Sequence, residues 1–215
     1  MARILVGLVA VLTLAGCQPA AAHAKAATAQ SIALQPGDVA GLRGCDAAGD
    51  MQTVLTKEKS IDKFLYSQNA TEWEQWKTQG ATEAYFAVYG RTAADCAVFS
   101  ATGNGAPHGG LMAGLVVKFK DTSASARNYQ LASTLLGFGP RDITFIKLVG
   151  GVITTGAETG LGPQSVIGTA SAVGSTYYFA FWQKKAFDSF FIAYDLPDFE
   201  AQGAAENVNQ RMSKP

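Results

Sequence analysis

The chain has 215 residues, 17 basic against 17 acidic side chains, two histidines and 48% hydrophobic composition. A balanced charge without a basic run offers no field to nucleic acid, so no nucleic-acid partner is expected. Twelve Phe, seven Tyr and three Trp beside 23 Gly exclude a disordered or repetitive chain and describe a packed, turn-rich one.

Arg3 precedes an apolar run, Ile4 to Leu14, that is too short to anchor in a bilayer and reads as a secretory signal. The run ends in Leu14-Ala15-Gly16-Cys17, which resembles the lipobox of bacterial lipoproteins. That resemblance implies removal of residues 1–16 and a thioether-linked diacylglyceryl group on Cys17. It also implies an extracytoplasmic protein held by lipid on the cell membrane or outer membrane. Each buried methylene contributes about 0.8 kcal/mol, so two or three acyl chains hold a domain durably. Loss of residues 1–16 removes Arg3 and no acid, leaving 16 basic against 17 acidic groups.

Residues 17–31 are Ala-rich and lack an evident apolar face, so a tether is expected, with His23 as a solvated linker residue. Residues 32–215 have the length of one globular domain. With Cys17 assigned to lipid, Cys45 and Cys96 remain as an even pair in an oxidising compartment, and a disulfide between them is expected. Two thiols without a histidine nearby make no zinc site, and no C-x-x-C motif signals redox work.

Pro36-Gly37 and Asp46-Ala-Ala-Gly-Asp50 are turn signals. Ile61, Phe64 and Leu65 share helical spacing and predict a short helix over 59–67. Thr71-Glu-Trp-Glu74 is a capping-box pattern, so a helix is expected from 72 to about 79, stopped by Gly80. Trp73 and Trp76 lie three apart on one face of it, either covering a sheet or forming an exposed platform for sugar or lipid.

Strands are expected over 83–89, 95–101 and 111–120, with the flexible turn Gly103 to Gly110 before the third. Asp121-Thr-Ser123 caps a helix running to about Leu136, with Tyr129, Ala132 and Leu136 on its apolar stripe. Residues 143–149 and 152–155 read as strands and 156–163 as a Gly-rich loop. The aromatic runs 176–184 and 188–194, reversing at Lys185-Ala186, form a hairpin buried on two sides. After Pro197 a surface helix over 198–212 is expected to dock through Phe199, Ala205, Val208 and Met212.

Together these elements predict an α+β fold, an antiparallel sheet of about six strands with two or three helices packed on it. A hairpin, a capped helix, further strands, a terminal helix and a cysteine pair loosely resemble the small extracellular sensor-type and lipoprotein domains of actinobacterial envelopes. These include the domain outside mycobacterial receptor kinases and the cores related to the oxygen-evolving P subunits of photosystem II. The resemblance implies an extracytoplasmic module and gives no residue a role.

His108 is the one histidine beyond the tether, and Pro107-His-Gly-Gly110 resembles only the start of a lipase oxyanion loop. No G-x-S-x-G turn and no second histidine accompany it, so His108 reads as part of a hairpin tip or as a ligand contact. Neither Gly103-Asn-Gly105 nor Gly160-Leu-Gly162 completes a phosphate loop, and neither a metal nor a cofactor is expected. The first functional reading is a noncatalytic module for a small apolar ligand, a glycan or an envelope protein, with Trp73, Trp76 and His108 as weak contacts. The second is a carboxylate-based envelope hydrolase, since a glycosidase needs only two acids. Asp50, Glu83, Asp95, Glu158 and Asp188 lie near strand ends or loops, and no pair among them stands out.

Overall fold

A computed structural model describes residues 26–98, 109–131, 145–172 and 174–214. The signal, the lipobox with Cys17, most of the Ala-rich stretch and His108 lie outside them.

The architecture is α+β, as its sequence pattern indicates. The strands are β1 (Arg43–Gly44), β2 (Gly49–Asp50), β3 (Ala81–Gly90), β4 (Leu111–Phe119), β5 (Val152–Thr155), β6 (Ser165–Ala172), β7 (Ser175–Lys184) and β8 (Phe187–Tyr194). They form one antiparallel sheet in the order β1-β3-β4-β8-β7-β6-β5, with β2 also paired to β3. The helices are α1 (Ala29–Ile32), α2 (Met51–Ile61), α3 (Lys63–Thr78), α4 (Ala93–Ala97), α5 (Thr122–Leu131), α6 (Phe145–Leu148) and α7 (Asp198–Ser213). Seven helices among the described residues exceed the expected two or three, because four- and five-residue helices carry too little pattern to be read.

The hairpin β7–β8 forms as expected, with Lys185 at φ 52° in its two-residue reversal. β8 lies between β4 and β7, so the aromatic runs are central and covered on both faces. One face packs on α1 and α7, whose Ala201, Ala204, Ala205, Val208 and Met212 form a buried stripe at helical spacing. Phe199 does not dock. It falls off that stripe and is 75% exposed. The other face packs on α2, α3 and α5.

Local capping explains several departures from expectation. The helical region 51–78 is two helices broken at Asp62, whose Oδ1 accepts the amides of Phe64 and Leu65 and caps α3. Thr71 is interior to α3 and donates its hydroxyl to the Ser67 carbonyl, so no helix starts there. Gly80, at φ 103°, does end the helix. The expected strand over 95–101 is, in its described part, the helix α4, because Thr92 and Asp95 form a reciprocal capping box. Likewise 145–148, within the expected strand 143–149, is helical. β6 was not expected at all. Gly168, Ala170 and the hydroxyl residues Ser165, Thr169 and Ser171 dilute its strand pattern.

The end of the Ala-rich stretch is folded. Thr28 caps α1 with Ser31, and Ala29 and Ile32 are buried against the sheet. Arg211 near the end of α7 holds this segment. Its Nε donates to the Ile32 carbonyl at 2.9 Å, Nη2 donates to the Ala33 carbonyl at 3.0 Å, and both Nη atoms grip the Asp38 carboxylate at 2.9 and 2.6 Å. The guanidinium thus serves the open carbonyl end of α1 and a nearly buried carboxylate together.

Cys45 and Cys96 are disulfide-bonded with Cα atoms 5.3 Å apart, fastening the β1–β2 connection to α4. The bond spans 51 residues, and closing a loop of that size in the unfolded chain corresponds to about 4 kcal/mol. Cys45→Ala/Cys96→Ala is expected to lower unfolding stability by that order, read from urea titration; an unchanged midpoint would contradict it. Arg211→Met should destabilise by roughly 3 kcal/mol, since it leaves Asp38 charged and unpaired. Adding Asp38→Leu should recover part of the loss, and a double variant weaker than the single would disprove the pairing account.

Candidate functional site

The α5 face of the sheet carries an unusual combination, a row of aromatic side chains ending at one buried acid. Register places Asp188 across from Gln183 on β7 and Val117 on β4, with Phe190 and Ile192 following it on the same face. Phe179 and Phe181 of β7 are buried beside them, and Phe181 stacks on Phe190 with ring centroids 4.6 Å apart. Tyr177, Phe190, Ile192, Ile153 and Tyr129 of α5 are half-buried around this cluster.

Asp188 is 7% exposed. Its Oδ1 accepts the Ser125 hydroxyl at 2.6 Å and its Oδ2 accepts the Asn128 amide at 2.8 Å, both from α5. Asp121 caps that helix by accepting the Ala124 amide at 2.7 Å, and the i, i+3 spacing turns Ser125 and Asn128 toward the sheet. Burial pushes the Asp188 carboxyl up to about 7, against the lowering effect of the two hydrogen bonds. Tyr129 is raised to about 12 by burial and by the negative charge of Asp188. The carbonyl oxygen of Asn128 is buried without a partner.

Sequence reasoning named Asp188 among five acids and could not choose it. The missing signal was Ser125-x-x-Asn128 on α5, two polar residues at the spacing of a buried face. Three of the other acids serve the backbone or an ion pair. Asp50 caps α2 through the Thr53 amide, Asp95 closes the α4 capping box and accepts the Gly109 amide, and Glu83 pairs with Lys118 at 3.1 Å. Glu158 is exposed in the short 3-10 turn 156–159.

Trp76 is 6% exposed with its ring 6.3 Å from that of Phe119, so it covers the sheet and presents no platform. Trp73 is half-buried on the same cluster. Neither belongs to the Asp188 face cluster, and His108 lies outside the described residues. The Gly-rich loop 156–163 is closed internally by the Thr159 and Ser165 hydroxyls, 2.6 Å apart, with Leu161 fully buried. At the far end of the sheet a shallow groove of about 650 Å³ is bordered by Thr176, Asp195, Leu196 and Phe199. Asp195 there adopts φ 51° and accepts the Thr176 amide at 3.0 Å. Among the described residues no group of three or more His, Cys, Asp or Glu is gathered as a metal site, and no helix is long and apolar enough to cross a membrane.

No protein-family model matches the chain, and no curated protein matches it. Among solved structures, the extracellular domain of PknH from Mycobacterium tuberculosis is similar with a TM-score of 0.41 and 13% identity. The match covers 65% of this chain and 69% of that one. A likeness at this level assigns no role to any residue here.

The Asp188 carboxyl has a measurable consequence. Its folded value, about 7, lies above the ordinary 3.8, so between those values the folded state keeps a proton that the unfolded state releases. Stability from this group is therefore full below about pH 4 and declines as pH rises through about 7. Asp188→Asn removes the titration while keeping the shape. Its stability relative to the parent chain should rise between pH 5 and pH 8 by roughly 1 to 3 kcal/mol. Parallel pH profiles would show that Asp188 ionises without cost.

Proposed function

We propose that the protein is an extracytoplasmic, lipid-anchored binding module without catalytic machinery. The α5 face of the sheet would receive a small, largely apolar ligand. The observation that carries the reading is the half-buried set Tyr177, Phe190, Ile192 and Ile153 beside a single buried carboxyl. Apolar and aromatic walls with one or two fixed polar groups suit recognition of such a molecule. The Cys45–Cys96 disulfide supports an oxidising compartment, and Leu14 to Cys17 supports the lipid anchor there.

A carboxylate-based hydrolase finds its best support in the neutral-range carboxyl of Asp188. Both oxygens of that group are engaged by Ser125 and Asn128, and the group is nearly closed to solvent. A general acid must reach the leaving oxygen of a substrate, so this arrangement suits fastening and recognition better.

Thermal-shift screening of the mature chain against envelope lipids and glycans tests the reading. A true ligand at 100 times its Kd should stabilise the chain by about 2.7 kcal/mol. Phe190→Ala and Ile192→Ala should remove that shift. Persistence of the shift in both variants would move the site elsewhere, with the Thr176–Phe199 groove the next place to look.

A further inference from the structure

The register of the sheet collects basic side chains at one of its ends. Ala81 pairs with Phe119, Lys118 with Phe187 and Lys184 with Phe187, so these residues share that end. Lys120 follows Phe119 and donates its amide to the Gly80 carbonyl. Lys185 sits in the β7–β8 reversal, and its Nζ donates to the Ser213 carbonyl at 2.6 Å, which brings the end of α7 and Lys214 alongside. Lys120, Lys185 and Lys214 are exposed and Lys184 is half-exposed.

The acids at this end are largely committed elsewhere. Glu83 pairs with Lys118, Glu74 pairs with Lys77, Asp121 caps α5 and Asp188 is buried. Asp121 beside Lys120 and Glu158 are exposed, so two negative charges stand against the four lysines. The opposite end carries Asp195, Asp198 and Glu200 near the start of α7, with Arg43 and Arg91 across the sheet. Three acids against two arginines leave that end without the lysine excess of the first.

The N-terminal segment enters at the basic end. The Ala29 amide donates to Glu83 Oε2 at 3.0 Å, and the chain then runs along the sheet so that the Tyr89 hydroxyl reaches the Leu34 carbonyl. Nine residue steps separate Cys17 from Ala26, and Lys25 is among them. Fully extended, such a length spans on the order of 30 Å, so lipid on Cys17 keeps this end near its membrane.

We propose that the end bearing Lys120, Lys184, Lys185 and Lys214 docks on an anionic phospholipid surface, beside the point where the N-terminal segment leaves the domain. The proposal rests on the reading of Cys17 as the lipid site. The lysines supply charge complementarity, and the short connection holds them where that attraction is least screened.

Sedimentation of the mature chain carrying Cys17→Ser with vesicles tests the surface without the anchor. At low salt it should bind vesicles containing one third phosphatidylglycerol, bind pure phosphatidylcholine far less, and be released by high salt. Lys120→Gln/Lys184→Gln/Lys214→Gln should weaken the anionic binding roughly 100-fold. Arg43→Gln/Arg91→Gln, roughly 30 Å away along the strands, should leave it nearly unchanged when both variants are compared at about 0.1 M salt, where the Debye length is about 10 Å. Equal binding to both vesicle types, or an equal loss in both variants, would overturn the docking surface. Mass spectrometry of the full chain from the membrane fraction reads the diacylglyceryl adduct on Cys17 separately. Its absence would overturn the anchor reading, whereas its presence with no anionic preference would overturn the docking surface alone.

Discussion

The constraint on which the structure depends is that β7 and β8 are buried on both faces. An antiparallel pair with one wet face needs one cover, whereas Trp182 and Phe191 on one side and Phe181 and Asp188 on the other require two. The chain supplies them from distant segments, α7 on one face and α5 on the other, with α1 beside α7 and with α2 and α3 packing farther along the sheet on β3. Each cover is fastened at a polar point. Arg211 joins α7 to α1 and Asp38, and Asp188 joins α5 to β8. These fastenings differ in kind. Arg211 meets its opposite charge, whereas Asp188 meets only neutral donors, so the second is the one sensitive to protonation.

That difference bears on how firmly each cover is held. The α7 side also has an unbroken apolar stripe, with Trp182 Nε1 donating to the Met212 sulfur at 3.1 Å. Among the described residues, the α5 side contributes Ala124 and half-buried Tyr129, alongside the buried Ser125, Asn128 and Asp188. The aromatic face proposed to receive a ligand lies beneath the cover whose polar fastening is sensitive to protonation.

Much of this was legible in the sequence where a single principle governs a stretch. The continuous aromatic pattern from Thr176 to Tyr194 specifies a doubly buried hairpin, and the Ala-rich spacing after Pro197 specifies α7. The cysteine pair was legible by counting. Local signals misled where tertiary context overrides them. Thr71-Glu-Trp-Glu74 has the form of a capping box, yet Asp62 starts the helix earlier and the packing of Asn69 and Trp76 carries it through. Thr92 to Asp95 forms a working box, yet the run from Asp95 to Ala101 has the pattern of a strand and hides it. The Asp188 cluster was illegible because Ser125 and Asn128 lie 63 and 60 residues away, and spacing within one helix names no partner across such a distance.

The lysine-bearing end of the domain links the two proposals geometrically. With the Lys120 end against a membrane, the ten-residue strands β3 and β7 stand away from it and span roughly 33 Å. The faces of the sheet would then stand perpendicular to the membrane plane, and the Phe181–Phe190 cluster beneath α5 would face sideways rather than toward the lipid or directly away from it. Asp188, near the basic end, would sit closest to the headgroups, where a negative surface potential also concentrates protons.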